Sequence, residues 1–206
     1  NLSGVISGSG ALTKTGTGTF TLSGISSFSG ATQVSAGTLL ITGDLSNSSN
    51  VNVASGATLA GTGTAPTIAV ADGGNLSPGN AGPGLLTVAG NLVLNSGANL
   101  LLDISGTTAA TQYDQLTVAG TVSLAGANIS ATHSYVAANG DTYEVISNDA
   151  ADAITGTFTG IAEGASFVAG GNSSNLIVSY AAGSGNDLSL TNTLLPGAPT
   201  GVTAVA

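Results

Sequence analysis

The sequence predicts an all-β fold: a parallel β-helix, or solenoid, closed by a C-terminal antiparallel cap. Three observations lead there. Short runs of Thr, Val and Leu alternate apolar with polar residues and are cut by single glycines, as in LTKTGTGTFTLSG at Leu12–Gly24. The runs restart in near-repeats along the chain, the pattern of a stack of short strands rather than of one globular core. Helix signals are missing, because no stretch shows i, i+3, i+4 apolar spacing and 32 of the 206 residues are glycine.

Each strand is a few residues long and bounded by Gly, Asn, Ser or Asp. The runs are Thr38–Thr42, Val51–Val53, Thr67–Val70, Leu86–Val88, Asn91–Leu94, Asn99–Ile104, Gln115–Val118 and Thr121–Leu124. In most of them residues two apart are apolar, which gives one buried face. The best internal match aligns LTVAGNLVLNSGANL (Leu86–Leu100) with LTVAGTVSLAGANI (Leu116–Ile129), at an offset of 30 that slips to 29 after one deletion. SGAT recurs at Ser29–Thr32 and Ser55–Thr58, and GTGT at Gly16–Thr19 and Gly61–Thr64. A repeat of this size made only of short strands suits one rung of a solenoid.

Composition narrows the functional classes. Four Phe, four Tyr and no Trp leave burial to Val, Leu, Ile and Ala in thin, closely stacked layers. Lys14 is the single basic side chain besides His133, against ten acids, for a formal net charge of -9. Nucleic acid is excluded as a partner, since phosphate binding needs Lys and Arg to displace counterions. An anionic membrane surface is disfavoured for the same reason. There is no run of membrane-span length; the densest, Leu100–Ile104, is interrupted by Asp103. With no cysteine there is no disulfide, which suits a bacterial chain that must stay unfolded during export. The chain reads as an internal piece of a larger protein.

Composition shifts after about Ser130. HSYVAANGDTYEVI (His133–Ile146) brings two Tyr and more charge, and Phe158–Asn192 reads as antiparallel hairpins with NSSN and GSGND turns. The expected organisation is therefore β-helix repeats over 1–129 and a β cap over 130–192 that covers the last rung's open edge. Residues 193–206, stiffened by Pro196 and Pro199, read as a linker and the start of a following immunoglobulin- or fibronectin-like module at Val202–Val205.

Ile6–Gly24, Ser29–Gly43, Ser55–Thr64 and Gly73–Leu92 together resemble the passenger-associated strand repeats of bacterial autotransporters. The resemblance covers about residues 1–128. It implies an exported protein of the bacterial cell surface whose passenger is a right-handed parallel β-helix. The family is functionally mixed, and it often ends in a membrane β-barrel that nothing here resembles.

The sequence assigns no catalytic, cofactor-binding or metal-binding residue. A triad would need His133, the one histidine, and no GxSxG elbow exists; His133 reads as a polar loop or edge residue of the cap. Among scattered acids, Asp103 and Asp114 are the nearest candidates for a glycosidase pair, flanking a loop. Asn148, Asp149 and Asp152 could offer oxygens to calcium, but a solvated acidic turn is the simpler reading. Thr13, Thr15, Thr17, Thr19 and Thr21 form a dense run that an ice-binding face would have to repeat on successive rungs; it occurs once. Lys14 is read as structural, pairing with an acid or capping a row of carbonyls, and the recurrence of KTGTG in the resembled family points the same way.

The functional expectation is a structural, adhesive segment that acts as a stalk or presentation scaffold, and not an enzyme. The alternative is a carbohydrate-binding β-helix; a polysaccharide-degrading enzyme and an ice-binding solenoid rank behind it. Expected partners are glycans or other cell-surface molecules, and other rods through self-association.

Overall fold

A computed structural model describes residues 1–149 and 152–194. The described residues hold no helix, and hence none long and apolar enough to cross a membrane. Twenty strands, numbered in chain order, form three faces. The first face stacks β1 (Leu12–Lys14), β3 (Thr32–Val34), β5 (Val51–Val53), β8 (Ile68–Val70), β11 (Leu92–Leu94) and β14 (Val122–Ser123). The second stacks β2 (Thr19–Leu22), β4 (Thr38–Ile41), β6 (Thr58–Gly61), β9 (Asn75–Pro78), β12 (Asn99–Ile104), β15 (Asn128–His133) and β18 (Gly170–Gly171). The third begins at β7 (Thr64–Ala65) and continues through β10 (Leu85–Val88), β13 (Gln115–Val118) and β16 (Thr142–Asn148). All these neighbours pair in parallel, so the chain is a parallel β-helix in which each turn visits the three faces in order.

Alternation explains the core. On the second face Leu39, Leu59, Leu76 and Leu100 point inward and stack one rung above another. On the first face Val34, Val53, Val70 and Leu94 do the same. Burying each such side chain is worth about 1.5–3 kcal/mol relative to exposure. Leu94 and Leu102 both face inward, as their parity requires. The outward second-face column runs Thr19, Thr38, Thr58, Asn75, Asn99 and Asn128. Its amides form a ladder: Asn99 Nδ2 donates to Asn75 Oδ1 at 3.0 Å, and Asn128 Nδ2 to Asn99 Oδ1 at 3.1 Å. Such a ladder holds register where no side chain is fully buried.

The best internal repeat is the rung register itself. Leu86 stacks on Leu116 and Leu92 on Val122, while Asn99 stacks on Asn128. The slip from 30 to 29 therefore falls in the turn where Leu94–Ala98 faces Leu124–Ala127, and Ala125 takes a φ of 39° there. The shorter repeats are not equivalent positions. SGAT at 29–32 enters β3 on the first face, whereas SGAT at 55–58 enters β6 on the second. The second copy is a tight turn, in which the Ala57 N–H donates to the Ala54 carbonyl at 3.0 Å, whereas the first leads in through a bend at Gly30.

Rungs lengthen at one corner. Links from the first face to the second keep three or four residues from β1 through β15. Links from the second to the third are two residues up to β7 and become 79–84, 105–114 and 134–141 in later turns. Gly61 makes the tight version possible: its φ is 136°, and a Cβ there would lie 1.9 Å from the Ile41 carbonyl oxygen of the rung before.

Parallel pairing continues past residue 129, through β15 on β12 and β16 on β13. The change of composition near Ser130 marks a more aromatic core rather than a change of pairing. Antiparallel pairing begins with β20 (Asp187–Thr193) on β16, followed outward by β19 (Asn175–Ala182) and β17 (Ser166–Val168). These hairpins extend the third face and use the NSSN and GSGND turns. The linker with Pro196 and Pro199 and the module expected at Val202–Val205 lie outside the described residues.

Candidate functional site

Lys14 and several of the acids are tied to backbone. Lys14 occupies the inward column of the first face, above Val34, where its neighbours in later rungs are apolar. It is buried, and its Nζ donates to the carbonyls of Thr15 at 3.1 Å, Gly16 at 2.8 Å and Ala36 at 2.9 Å. One ammonium group thus satisfies three acceptors at the end of the stack, the carbonyl-capping role read from the sequence.

Asp103 and Asp114 are brought together, but as a clamp. The two strand ends bridge across loop 105–112, and Asp114 N–H donates to the Asp103 carbonyl at 3.0 Å. The buried Asp114 carboxylate accepts the N–H of Gly84 at 2.8 Å through Oδ1 and that of Asp103 at 2.8 Å through Oδ2. Burial pushes its pKa up to about 7; the two backbone donors oppose that rise, and the nearby Asp103 charge adds to it. Both oxygens are occupied, Oδ1 in joining one rung to the next and Oδ2 within its own rung, so Asp114 is not placed to act on a sugar ring. Asp103 is half-exposed on the outer second face.

Other acids do the same work. Asp44 accepts the Ser46 N–H at 2.8 Å, Asp141 that of Ala138 at 2.8 Å, Glu163 that of Tyr180 at 2.6 Å and Asp187 that of Asn148 at 2.8 Å. Carboxylate-braced turns account for acids that have no basic partner to pair with.

His133 departs from the loop or edge reading. It is fully buried, inward on β15 below Ile104 and against Gly171 of β18. Alternation from Ile129 and Ala131 carried the signal. Its Nε2 lies 3.2 Å from the Tyr143 hydroxyl, which lies 2.6 Å from that of Tyr135; Tyr135 donates to Asp141 Oδ2 at 3.0 Å. Tyr113 packs edge-on to Tyr143, with ring centres 5.5 Å apart. Burial holds the imidazole below its ordinary pKa, against the opposing charge of Asp141. No serine or cysteine nucleophile belongs to this network.

Of the three oxygen donors weighed for calcium, Asn148 is buried at the end of the Ala65–Val88–Val118 column. Its Nδ2 donates to the Asp152 carbonyl at 3.0 Å, which turns a donor toward that site. Among the described residues no three His, Cys, Asp or Glu side chains are grouped to hold a metal. The Thr run bends round a corner: Thr13 faces out on the first face and Thr19 on the second, with Gly16 at a φ of 75° between them.

A groove remains. It lies on the outer second face beneath the loop 79–82 and has a volume of about 230 Å³. Thr19, Thr38, Leu40, Ala60 and Ser77 form its floor, and Asp103 reaches it from the next rung. Sequence reading missed it because the loop's return over the sheet leaves no local pattern.

No curated protein matches the chain. Residues 12–41, which build β1 to β4 and so the first two rungs, match the model of the passenger-associated-transport-repeat family, the similarity expected of an autotransporter passenger repeat.

Proposed function

We propose that this chain is a rigid scaffold within the passenger of an exported bacterial surface protein, holding or presenting adhesive surfaces rather than performing catalysis. One observation carries the reading: of the two acids nearest to a glycosidase pair, the Asp114 carboxylate is consumed as a backbone clamp within a continuous parallel stack. A passenger repeat on the first two rungs supports export to the cell surface. A stack of this kind is stiff along its axis, because every rung hydrogen-bonds to the next. Antibodies against this segment should label intact cells that produce the whole protein, and protease added outside should remove the label. Label that appears only after lysis would overturn the surface assignment.

A further inference from the structure

We propose that the second-face groove binds a neutral, linear oligosaccharide, which gives the scaffold reading, on which this rests, a specific adhesive surface. Two independent observations meet there. Between β9 and β16 the rungs lengthen at the corner beside this face, and in repeat proteins insertions gathered on one side mark the binding side. The groove is also a built concavity, not an open sheet. Its floor crosses successive rungs from Thr19 to Ser77 and reaches Asp103 one rung further. At about 4.8 Å per rung that is roughly 19 Å, the reach of a short glycan lying along the axis.

The lining sets the ligand's chemistry. Thr19, Thr38 and Ser77 offer hydroxyls that both donate and accept, and Asp103 offers a strong acceptor for sugar hydroxyls. Leu40 and Ala60 give a small apolar floor for the C–H face of a pyranose. The chain's one lysine is buried at the end of the stack, and there is no arginine. A uronate, sulfate or phosphate would therefore meet a carboxylate and no compensating cation. The wall is held in place before binding: Asp114 grips Gly84, and a Cβ on Gly79 would lie 2.8 Å from Asp114 Oδ1. A preformed wall lowers the ordering cost that weak glycan binding can least sustain.

The test titrates the folded chain with linear gluco-, manno- and xylo-oligosaccharides, with oligogalacturonate as the anionic comparison, and follows binding by NMR shifts. Saturable binding of a neutral series, on the order of millimolar, is expected. Ala60→Arg, which fills the floor, and Asp103→Asn, which leaves the backbone clamp intact, should each weaken it by roughly tenfold. Asn52→Arg on the first face should leave it unchanged. Melting curves confirm that each variant is folded. No binding of any neutral series, preference for oligogalacturonate, or equal binding by all three variants would overturn the proposal. Reducing-end release, measured in the same mixtures, reports separately on the scaffold reading, which survives a failed titration.

Discussion

The Asp114 carboxylate accepts the Gly84 N–H at 2.8 Å, so a residue of one rung fixes the corner loop of the rung before it. Its second oxygen accepts the Asp103 N–H at 2.8 Å, inside its own rung. Asp114→Ala leaves two buried donors without acceptors, at a cost of roughly 2–4 kcal/mol. Urea unfolding should show that loss, and hydrogen exchange should quicken at Gly84 and Asp103.

The same group gives a pH signature. Its folded pKa, about 7, lies above the ordinary carboxylate value of 3.8, so the folded state holds the proton more tightly. Its contribution to stability is therefore greatest below about pH 4 and declines as pH rises toward 7. Between those limits, Asp114→Asn should flatten the decline in unfolding free energy relative to the parent chain.

His133 acts in the opposite direction. Its folded pKa lies below the ordinary 6.5, so the stability it contributes is present above that value and is lost as pH falls. Because the chain has one histidine, its ring signals need no assignment. Their titration midpoint should lie below that of a free imidazole, and a midpoint at or above it would contradict the buried placement.

Much of this fold was legible because parallel stacking gives equivalent positions equivalent surroundings. Leu86 and Leu116 occupy the same core site one rung apart, so the same residues recur. Lys14 could be read as structural from the KTGTG pattern, but whether it paired with an acid or capped carbonyls was settled only by the fold. What failed were signals shared by unlike places. SGAT leads into a strand on either of two faces, and a composition change near Ser130 does not reveal that β15 and β16 still pair in parallel. The Asp114 clamp and the groove depend on how a loop folds back, which no spacing encodes.

Parity predicts a sharp contrast between adjacent residues. Leu102 faces inward on β12 and is buried, while Leu101 faces outward and is half-buried. Leu102→Asp places an unpaired charge in the stacked core and should cost several kcal/mol, on the order of 3–5. Leu101→Asp should cost about 1 kcal/mol or less. Similar melting losses for the two would mean that the strand's faces are exchanged.

Lys14→Met keeps the apolar stem but leaves three carbonyls without their donor. The expected cost is about 1–3 kcal/mol, with exchange protection lost first in β1 and β3. Unchanged exchange there would show that the ammonium group does not close the end of the stack.

The central claim, that this β-helix holds and presents rather than cleaves, meets its most direct test in a reducing-end release assay. The folded chain is incubated with polygalacturonate and with neutral glycans, with and without calcium. No release above the protein-free control is predicted, because Asp114 is committed to Gly84 and Asp103 and the single histidine is buried. Robust release that disappears in Asp103→Asn or Asp114→Asn would contradict it.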